Sequence, residues 1–494
     1  MEERQTVNIS EAKTRLLKKE AIDKLGVNAY PSKVNRDMPV AEAVSSSKKS
    51  DTSIWLAGKI TSIRSHGKSG FADIQDQSGK IQLYIKQDEV GEKSYSFYTD
   101  NIDVGDYINV CGKLFTTKTK EPTLRVEQLI LLAKSLKPLP DKWSGLTDTE
   151  IRYRKRYLDF LINCRSKENI ILRSNIVANL RSFMQENGFI EVETPILQPI
   201  PGGASAKPFV THYNILGQDF YLRIAPELYL KRMIVGGFEK IYEIGKVFRN
   251  EGLSHMHNPE FTIFEFYWAY KSYKDLMTFT EEMMSFIINK TLNSDTIKYQ
   301  GKAISFKPPY PKITLREMIL RDSGIDISKH KTLSSLKKVV ATKKIELDKH
   351  ISVWPKMVDE LYKKVSRPRI IEPVFVTDHP VELSPLAKSN EINKEVTQRF
   401  QLLCAGGIEL VNAYTELNDP IDQRRRFEKQ AELKEAGWDE SQLIDNNFID
   451  ALSYGLPPTA GWGMGIDRLV MLLSDNYSIK EVIAFPALKK TRGN

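Results

Sequence analysis

Three short stretches of this sequence gather residue types that could do chemistry together. The first is FRNEGLSHMHNPEFTIFEFYWAY, residues 248–270, which holds Arg249, Glu251, His257, Glu260, Glu265 and Tyr267. An Arg beside a Glu is, alone, an ordinary surface ion pair. The residues that follow raise its interest. In an extended strand Phe261, Ile263, Glu265 and Tyr267 share one face, while Phe264 and Phe266 take the other. Both faces then call for burial, and a carboxylate buried on a sheet needs a cationic partner.

The second stretch is GGIELVNAYTELNDP, residues 406–420, with Glu409, Asn412, Tyr414 and Glu416 inside eight positions. Two carboxylates this close in sequence could hold Mg²⁺, a hard cation that takes oxygen ligands and bridges to phosphates. Taken alone, an acidic turn is the simpler reading. The third is GWGMGIDRLVMLL, residues 461–473, read as a glycine-rich loop running into an apolar helix. Ile466, Leu469, Val470 and Leu473 recur at helical spacing, so Arg468 stands in the first turn. The helix dipole disfavours a cation there unless a negative ligand compensates, and a triphosphate would do so. Together the three stretches suit electrostatic work by arginines and magnesium on a phosphoryl centre. No GxxxxGK[ST], nucleophile elbow, HExxH or paired Cys/His spacing occurs. P-loop, serine-nucleophile and zinc chemistries are therefore set aside.

The elements that must position these residues can be read from the rest of the chain. At 494 residues, 41% hydrophobic and 27% charged, it suits two or three globular domains. No apolar run approaches a membrane span and no secretory leader is visible. Seventy-two Lys and Arg against 63 Asp and Glu give net +9, which fits a polyanionic partner without requiring one. The three distant cysteines form no pair, which suits a reducing, cytoplasmic setting. Residues 1–50 read as a helical extension, an amphipathic helix with a solvated basic face, followed by the linker AVSSSKKSDTS. Residues 51–136 carry five strand candidates (SIWLAGKITSIR, GFADIQD, KIQLYIK, YINVCGKLF and LRVEQLILLA), the pattern of a small OB-type barrel. KSLKPLPDKWSGL connects it to residues 137–494. There a helix ends at Asn187–Gly188 and FIEVETP, FYLRIAP, KIYEIGKVF and PEFTIFEFYWAY read as strands. Helices are expected near 273–290 and 420–437. Without βαβ alternation, this is an α+β domain whose antiparallel sheet is flanked by helices. Residues 291–370 are Lys-rich and read as a variable helical region without a chemical motif.

In this order, the residues resemble the three signature motifs of class II aminoacyl-tRNA synthetases. FIEVETPIL resembles motif 1, FRNEG…HNPEFTIFEF motif 2 and GWGMGIDRLVML motif 3. The barrel ahead of them places the chain in the aspartyl, asparaginyl and lysyl subclass. RYRKRYLDF, IPGGASAKPF, RIAPELYLKRMIVGG, NAYTELNDP and YGLPPTAGWGMGIDR resemble the lysyl type. The resemblance implies activation of L-lysine with ATP and Mg²⁺ and its transfer to tRNA(Lys) by a homodimer built through motif 1. It also implies roles. Arg249 and Asn412 would hold the lysine α-carboxylate, and Gly203, Glu227 and Glu265 would face the α-amine. Tyr267, Tyr414 and Glu416 would line the side-chain end, with Tyr267 and Glu416 receiving the ε-ammonium. For ATP, Phe261 would stack on adenine with Arg468 on the opposite face or near the γ-phosphate, Glu251 and Asn258 would contact the base region, and His257 the phosphates. Arg249 would bridge the two reacting anions. Glu409 and Glu416 would bind Mg²⁺. Arg64, Phe71 and Gln82 would read the anticodon, although burial of Phe71 in the barrel core is a competing reading. Met256 stands where many bacterial members carry an Arg, which removes one phosphate contact from the pattern. Aspartyl or asparaginyl specificity is the nearest alternative, and GGASAKPF and APELYLK argue against it. A non-catalytic tRNA-binding relative would be expected to lose Arg249, Glu409 or Arg468, and all three are present.

Overall fold

Five runs of alternating apolar residues close into a barrel in the computed structural model of this chain. They are Ile54–His66, Ser69–Gln75, Lys80–Lys86, Tyr107–Thr116 and Pro122–Ala133. The structure describes residues 2–46, 52–140, 146–348, 350–436, 438 and 443–489, and of residues 2–9 the backbone alone. Residues 47–51 and 141–145, parts of the two expected connections, lie outside the described residues. Two units, residues 1–147 and 148–494, divide the chain.

In the first unit, Leu56, Ile60, Ile74, Leu83, Val110 and Val126 point inward and are fully buried. The helix Glu2–Lys24 is less free than its basic face suggested. Ile22 joins the barrel core, Lys18 pairs with Asp103 at 2.7 Å, and Arg15 donates to the Ser135 carbonyl. Leu16 and Leu17 remain exposed.

The second unit is built on an eight-stranded sheet. Its order is Lys312–Thr314, Val374–Thr377, Arg399–Cys404, Ile408–Thr415, Thr459–Gly465, Glu260–Ala269, Lys240–Phe248, Ile190–Glu191. The six central strands pair antiparallel, and each edge strand pairs parallel. One face is apolar. Phe264 and Phe266 are fully buried there against the helices Cys164–Glu186 and Tyr273–Leu292, and Phe266 stacks on Trp462 with ring centroids 5.1 Å apart. Each such ring contributes about 1.5–3 kcal/mol by leaving water. The other face is the functional one.

Three expectations change. FIEVETP forms only the two-residue strand Ile190–Glu191; the Val192 N–H still donates to the Tyr242 carbonyl, and Pro195, which has no N–H to give a ladder, stands shortly after. GWGMG is a central strand rather than a loop. Gly461, Gly463 and Gly465 face outward by strand alternation while Trp462 and Met464 fill the core. Residues 291–370 are mixed: a hairpin (Thr296–Tyr299 and Lys302–Ser305), an edge strand of the main sheet, and helices that end in a π-turn, Tyr362–Ser366. That π-turn and the helix Trp354–Leu361 before it line the cavity over the sheet.

Candidate active site

Three adjacent strands make the floor of a cavity of about 480 Å³. The central one, Thr459–Gly465, offers only glycines, so the floor carries no side chains along its midline. Functional side chains rise from the strands on either side. Tyr267, Gly461 and Tyr414 form one cross-strand row, and Glu265, Gly463 and Asn412 the next. The glycine strand thus sets the width of the site.

One end of the cavity is rich in carboxylates. Glu227 accepts from the Tyr414 hydroxyl at 2.6 Å, and Tyr267 donates to Glu265 at 3.4 Å. Gly203 adopts φ +87°, and a Cβ there would lie 2.9 Å from that of Glu227, so only glycine lets the Gly202–Gly203 loop approach. Glu265 is almost fully buried. Desolvation, with Glu227 adding to it, pushes its carboxyl up to about 8 despite Arg249. Glu416 is closed in by Lys231, which pairs with it and with Glu227 Oε1 at 2.6 Å. Gly461 lies directly behind: a Cβ there would fall 2.1 Å from Glu416 Oε1 and 2.6 Å from Tyr267 Cε1.

The other end is cationic. The Arg249 guanidinium lies 5.1 Å over the Phe261 ring, and among the described residues its one hydrogen bond runs from Nε to the Ile224 carbonyl at 3.4 Å. Arg468 Nη1 donates to the Glu409 carbonyl at 3.0 Å, and Nη2 stands 3.5 Å from His257 Nε2. Asp467, the residue before, turns the opposite way and accepts from Arg173 and the Thr262 N–H, which fixes Arg468 toward the cavity. His257 is held down to about 4, by loss of water first and then by Arg468 and Arg249. Ser254 Oγ lies 2.8 Å from its Nδ1. Burial acts to raise the Glu409 carboxyl, but Arg367, Arg468 and Arg399 outweigh it and keep it below its ordinary range.

Glu409 reaches this face through a β-bulge. Leu402 pairs with Val411, but Leu403 pairs with Glu409, leaving Leu410 extra. Without that insertion, strand alternation would put Glu409 opposite Asn412 and Tyr414. Asn412 is oriented by a residue that sequence reasoning missed. Arg399 Nε donates to Asn412 Oδ1 at 2.8 Å, and since arginine only donates, the Asn412 amide N–H₂ must point elsewhere, over the cavity floor.

One site expectation is corrected. Glu409 and Glu416 do not share a magnesium ion: seven positions of extended strand separate them by roughly 20 Å. Glu416 is also closed in by Lys231. Glu409 alone fits the ion, since Mg²⁺ commonly takes one or two carboxylates and completes its shell with phosphates and water. Asn258 lines the cavity; its amide donates to the Glu260 carbonyl at 2.5 Å and accepts from the Ala487 N–H at 3.2 Å, which leaves one N–H and one lone pair unused by these two bonds. Glu251 stays exposed along the rim, and His257 beside it keeps an open edge while its two ring nitrogens face Ser254 and Arg468. Lys231 and Arg367 were also missed. The first had a readable signal, its position four residues after Glu227 in ELYLK.

In the barrel unit, Phe71 is not core. It lies half-buried on the outer face, its ring centroid 5.1 Å from that of Tyr84, which in turn meets Phe115 at 6.4 Å. Arg64 is its cross-strand neighbour on one side, and Gln82 stands opposite Asp73 two residues along. Gln82 Oε1 accepts from Thr123, which leaves its N–H₂ outward. Aromatic rings beside a cation and an amide make a stacking platform for nucleobases.

Comparison with known proteins agrees with both units. Residues 148–489 match the family model described as tRNA synthetases class II (D, K and N), and residues 54–132 match an OB-fold nucleic acid binding domain. The lysine–tRNA ligase of Dehalococcoides mccartyi is 45% identical over 483 residues, 96% of each chain. That of Carboxydothermus hydrogenoformans is 45% identical over 478 residues, 97% of each. That of Aquifex aeolicus is 50% identical over 438 residues, 88% of this chain and 73% of its own.

Proposed function

The chain belongs to the class II tRNA synthetases of the D, K and N group, and from that premise we propose how its cavity activates lysine. The reaction is lysine–tRNA ligation: ATP and L-lysine form lysyl-adenylate, and the lysyl group passes to the 3′ end of tRNA. The observation that carries the residue assignments is the polarity of the cavity, carboxylates at one end and arginines at the other along one sheet face. Lysine lies along that axis. Its α-carboxylate meets Arg249 and the Asn412 amide. Its α-ammonium meets Glu265 and Glu227 beside Gly203. Its side chain crosses Gly461 toward Tyr267, Tyr414 and Glu416. An aspartate substrate would put a second carboxylate into the acidic end, where nothing but Lys231 could receive it.

ATP takes the arginine end. Phe261 and Arg468 bracket the base, and Glu251 and His257 stand at the rim. Mg²⁺, held by Glu409, would neutralise phosphate charge there. Arg249 brings the lysine carboxylate and the α-phosphate together, cancelling their repulsion and holding the attack in line. Carboxylate oxygen attacks phosphorus and pyrophosphate leaves, so no protein nucleophile is needed. The ribose hydroxyl of the tRNA terminus then attacks the mixed anhydride. The test is ATP–pyrophosphate exchange with Mg²⁺ and each standard amino acid singly. Exchange with lysine alone supports the assignment, and exchange with aspartate or asparagine overturns it.

Glu265 adds a pH dependence. Below about 8 its carboxyl is protonated and neutral before lysine binds. An ammonium partner favours the ionised form, so binding releases that proton. The KM for lysine should therefore fall as pH rises from 6 to 8, approaching tenfold per unit, then level off. In Glu265→Gln the slope should vanish; an unchanged slope would assign it to another group.

For tRNA, the outer barrel face supports anticodon contact by Arg64, Phe71 and Gln82. Phe71→Ala should raise the KM for tRNA roughly tenfold or more, as loss of one stacked base predicts, and leave exchange untouched. Equal loss of both activities would make Phe71 structural. A homodimer is supported by the exposed apolar side chains Ile190, Ile196 and Leu197 of the first motif and Val210 beside them. Sedimentation should show twice the 56.5 kDa chain mass, and a monomer at working concentration refutes it. No helix among the described residues is long and apolar enough to cross a membrane. We place the enzyme in the cytoplasm, where its tRNA is charged.

A further inference from the structure

Lys231 is the one element of the acidic end that the reaction scheme leaves unused. It lies on the helix Glu227–Val235, one turn after Glu227, and its side chain is wholly enclosed. Its ammonium sits 2.6 Å from Glu227 Oε1, pairs with Glu416 Oε2, and lies 5.6 Å from the ring centroids of both Tyr414 and Phe448. The protein thus already holds one lysine ammonium in a cage of carboxylates and aromatic rings, beside the place proposed for the substrate's.

Charge counting gives this a consequence. Glu227, Glu265 and Glu416 bring three potential negative charges, and Lys231 returns one positive charge. Two are left, which matches the two ammonium groups of lysine, while Arg249 matches its carboxylate. A buried site is most favourable when its charges are fully compensated. Without Lys231, a bound lysine would leave one carboxylate unpaired and Glu227 free to turn away from Tyr414.

We infer that Lys231 is a positioning and specificity residue, which aims Glu227 and Glu416 and sets the acidic end to receive two ammonium groups. This rests on the lysine-activation reading above. The pocket then selects α,ω-diamino acids by charge balance as well as by shape: a neutral side chain leaves one charge over.

The test uses the full enzyme with Lys231→Ala, measured by lysine-dependent exchange. kcat/KM for lysine is expected to fall roughly 100-fold, mostly through KM, with the KM for ATP unchanged. Ethylammonium at millimolar concentration should restore most of the lysine affinity, and ethanol, of similar size but neutral, should not. If Lys231→Ala does not fold, Lys231→Met, which keeps the length of the side chain without its charge, replaces it, with the same expected rise in lysine KM at unchanged ATP binding. A lysine KM close to the parent's, or equal rescue by ethanol, overturns the inference. Absence of lysine-dependent exchange in the parent enzyme would instead remove the reading on which it rests.

Discussion

Arg249→Ala is expected to abolish lysyl-adenylate formation while leaving the fold intact. Among the described residues the guanidinium has one weak hydrogen bond, at 3.4 Å to the Ile224 carbonyl, and a ring contact with Phe261. No described hydrogen bond from the protein engages its two outer nitrogens. A side chain so placed contributes little to stability and is free to hold two anions at once. Removing a group of this kind costs roughly 1000-fold in rate, about 4 kcal/mol of transition-state stabilisation. Single-turnover adenylate formation measures it directly. Arg249→Lys should recover little, because a point charge cannot replace a planar fork. Near-parent rates in Arg249→Ala would sink the bridging role.

The second large effect comes from one methyl group. In Gly461→Ala the new Cβ would lie 2.1 Å from Glu416 and 2.6 Å from Tyr267. Neither can yield easily, since Glu416 is held by Lys231 and Tyr267 is buried. We expect the lysine KM to rise roughly 100-fold or more, with overpacking costing about 1–3 kcal/mol of stability. ATP binding, at the far end, should not change. Gly463→Ala is the internal comparison: its Cβ would meet Glu265 Cγ at 3.3 Å, a contact that a small shift relieves, so its effect should be smaller. If the two variants behave alike, the width of the floor does not set lysine binding.

Several of these features were legible in the residues themselves. The alternation around Glu265 correctly assigned both faces of its strand, because period two leaves no freedom once Phe264 and Phe266 must be buried. Arg468 was legible as a cation out of place. GWGMG was not, because glycine weakens strand propensity and its pattern is that of a loop until the neighbouring strands supply the pairing. Glu409 and Glu416 looked adjacent because sequence distance ignores how far an extended chain reaches, and the bulge at Leu410 has no signature of its own. Lys231 went unread, since nothing local in ELYLK says that the helix is covered. Arg367 and Arg399 lay outside every motif, and only the folded sheet brings them to Glu409 and Asn412.

The bulge at Leu410 has a bearing on how such a site can change over generations. It separates Glu409, the carboxylate proposed for the phosphate end, from Asn412, Tyr414 and Glu416, the positions proposed to meet the amino acid, along one stretch of chain. On that proposal, a substitution at Asn412, Tyr414 or Glu416 would alter what is chosen without re-aiming Glu409, because a bulge lets the register on its two sides shift independently. Nucleotide chemistry can then be inherited unaltered while amino-acid preference drifts. One scaffold can in this way serve several members of the genetic code.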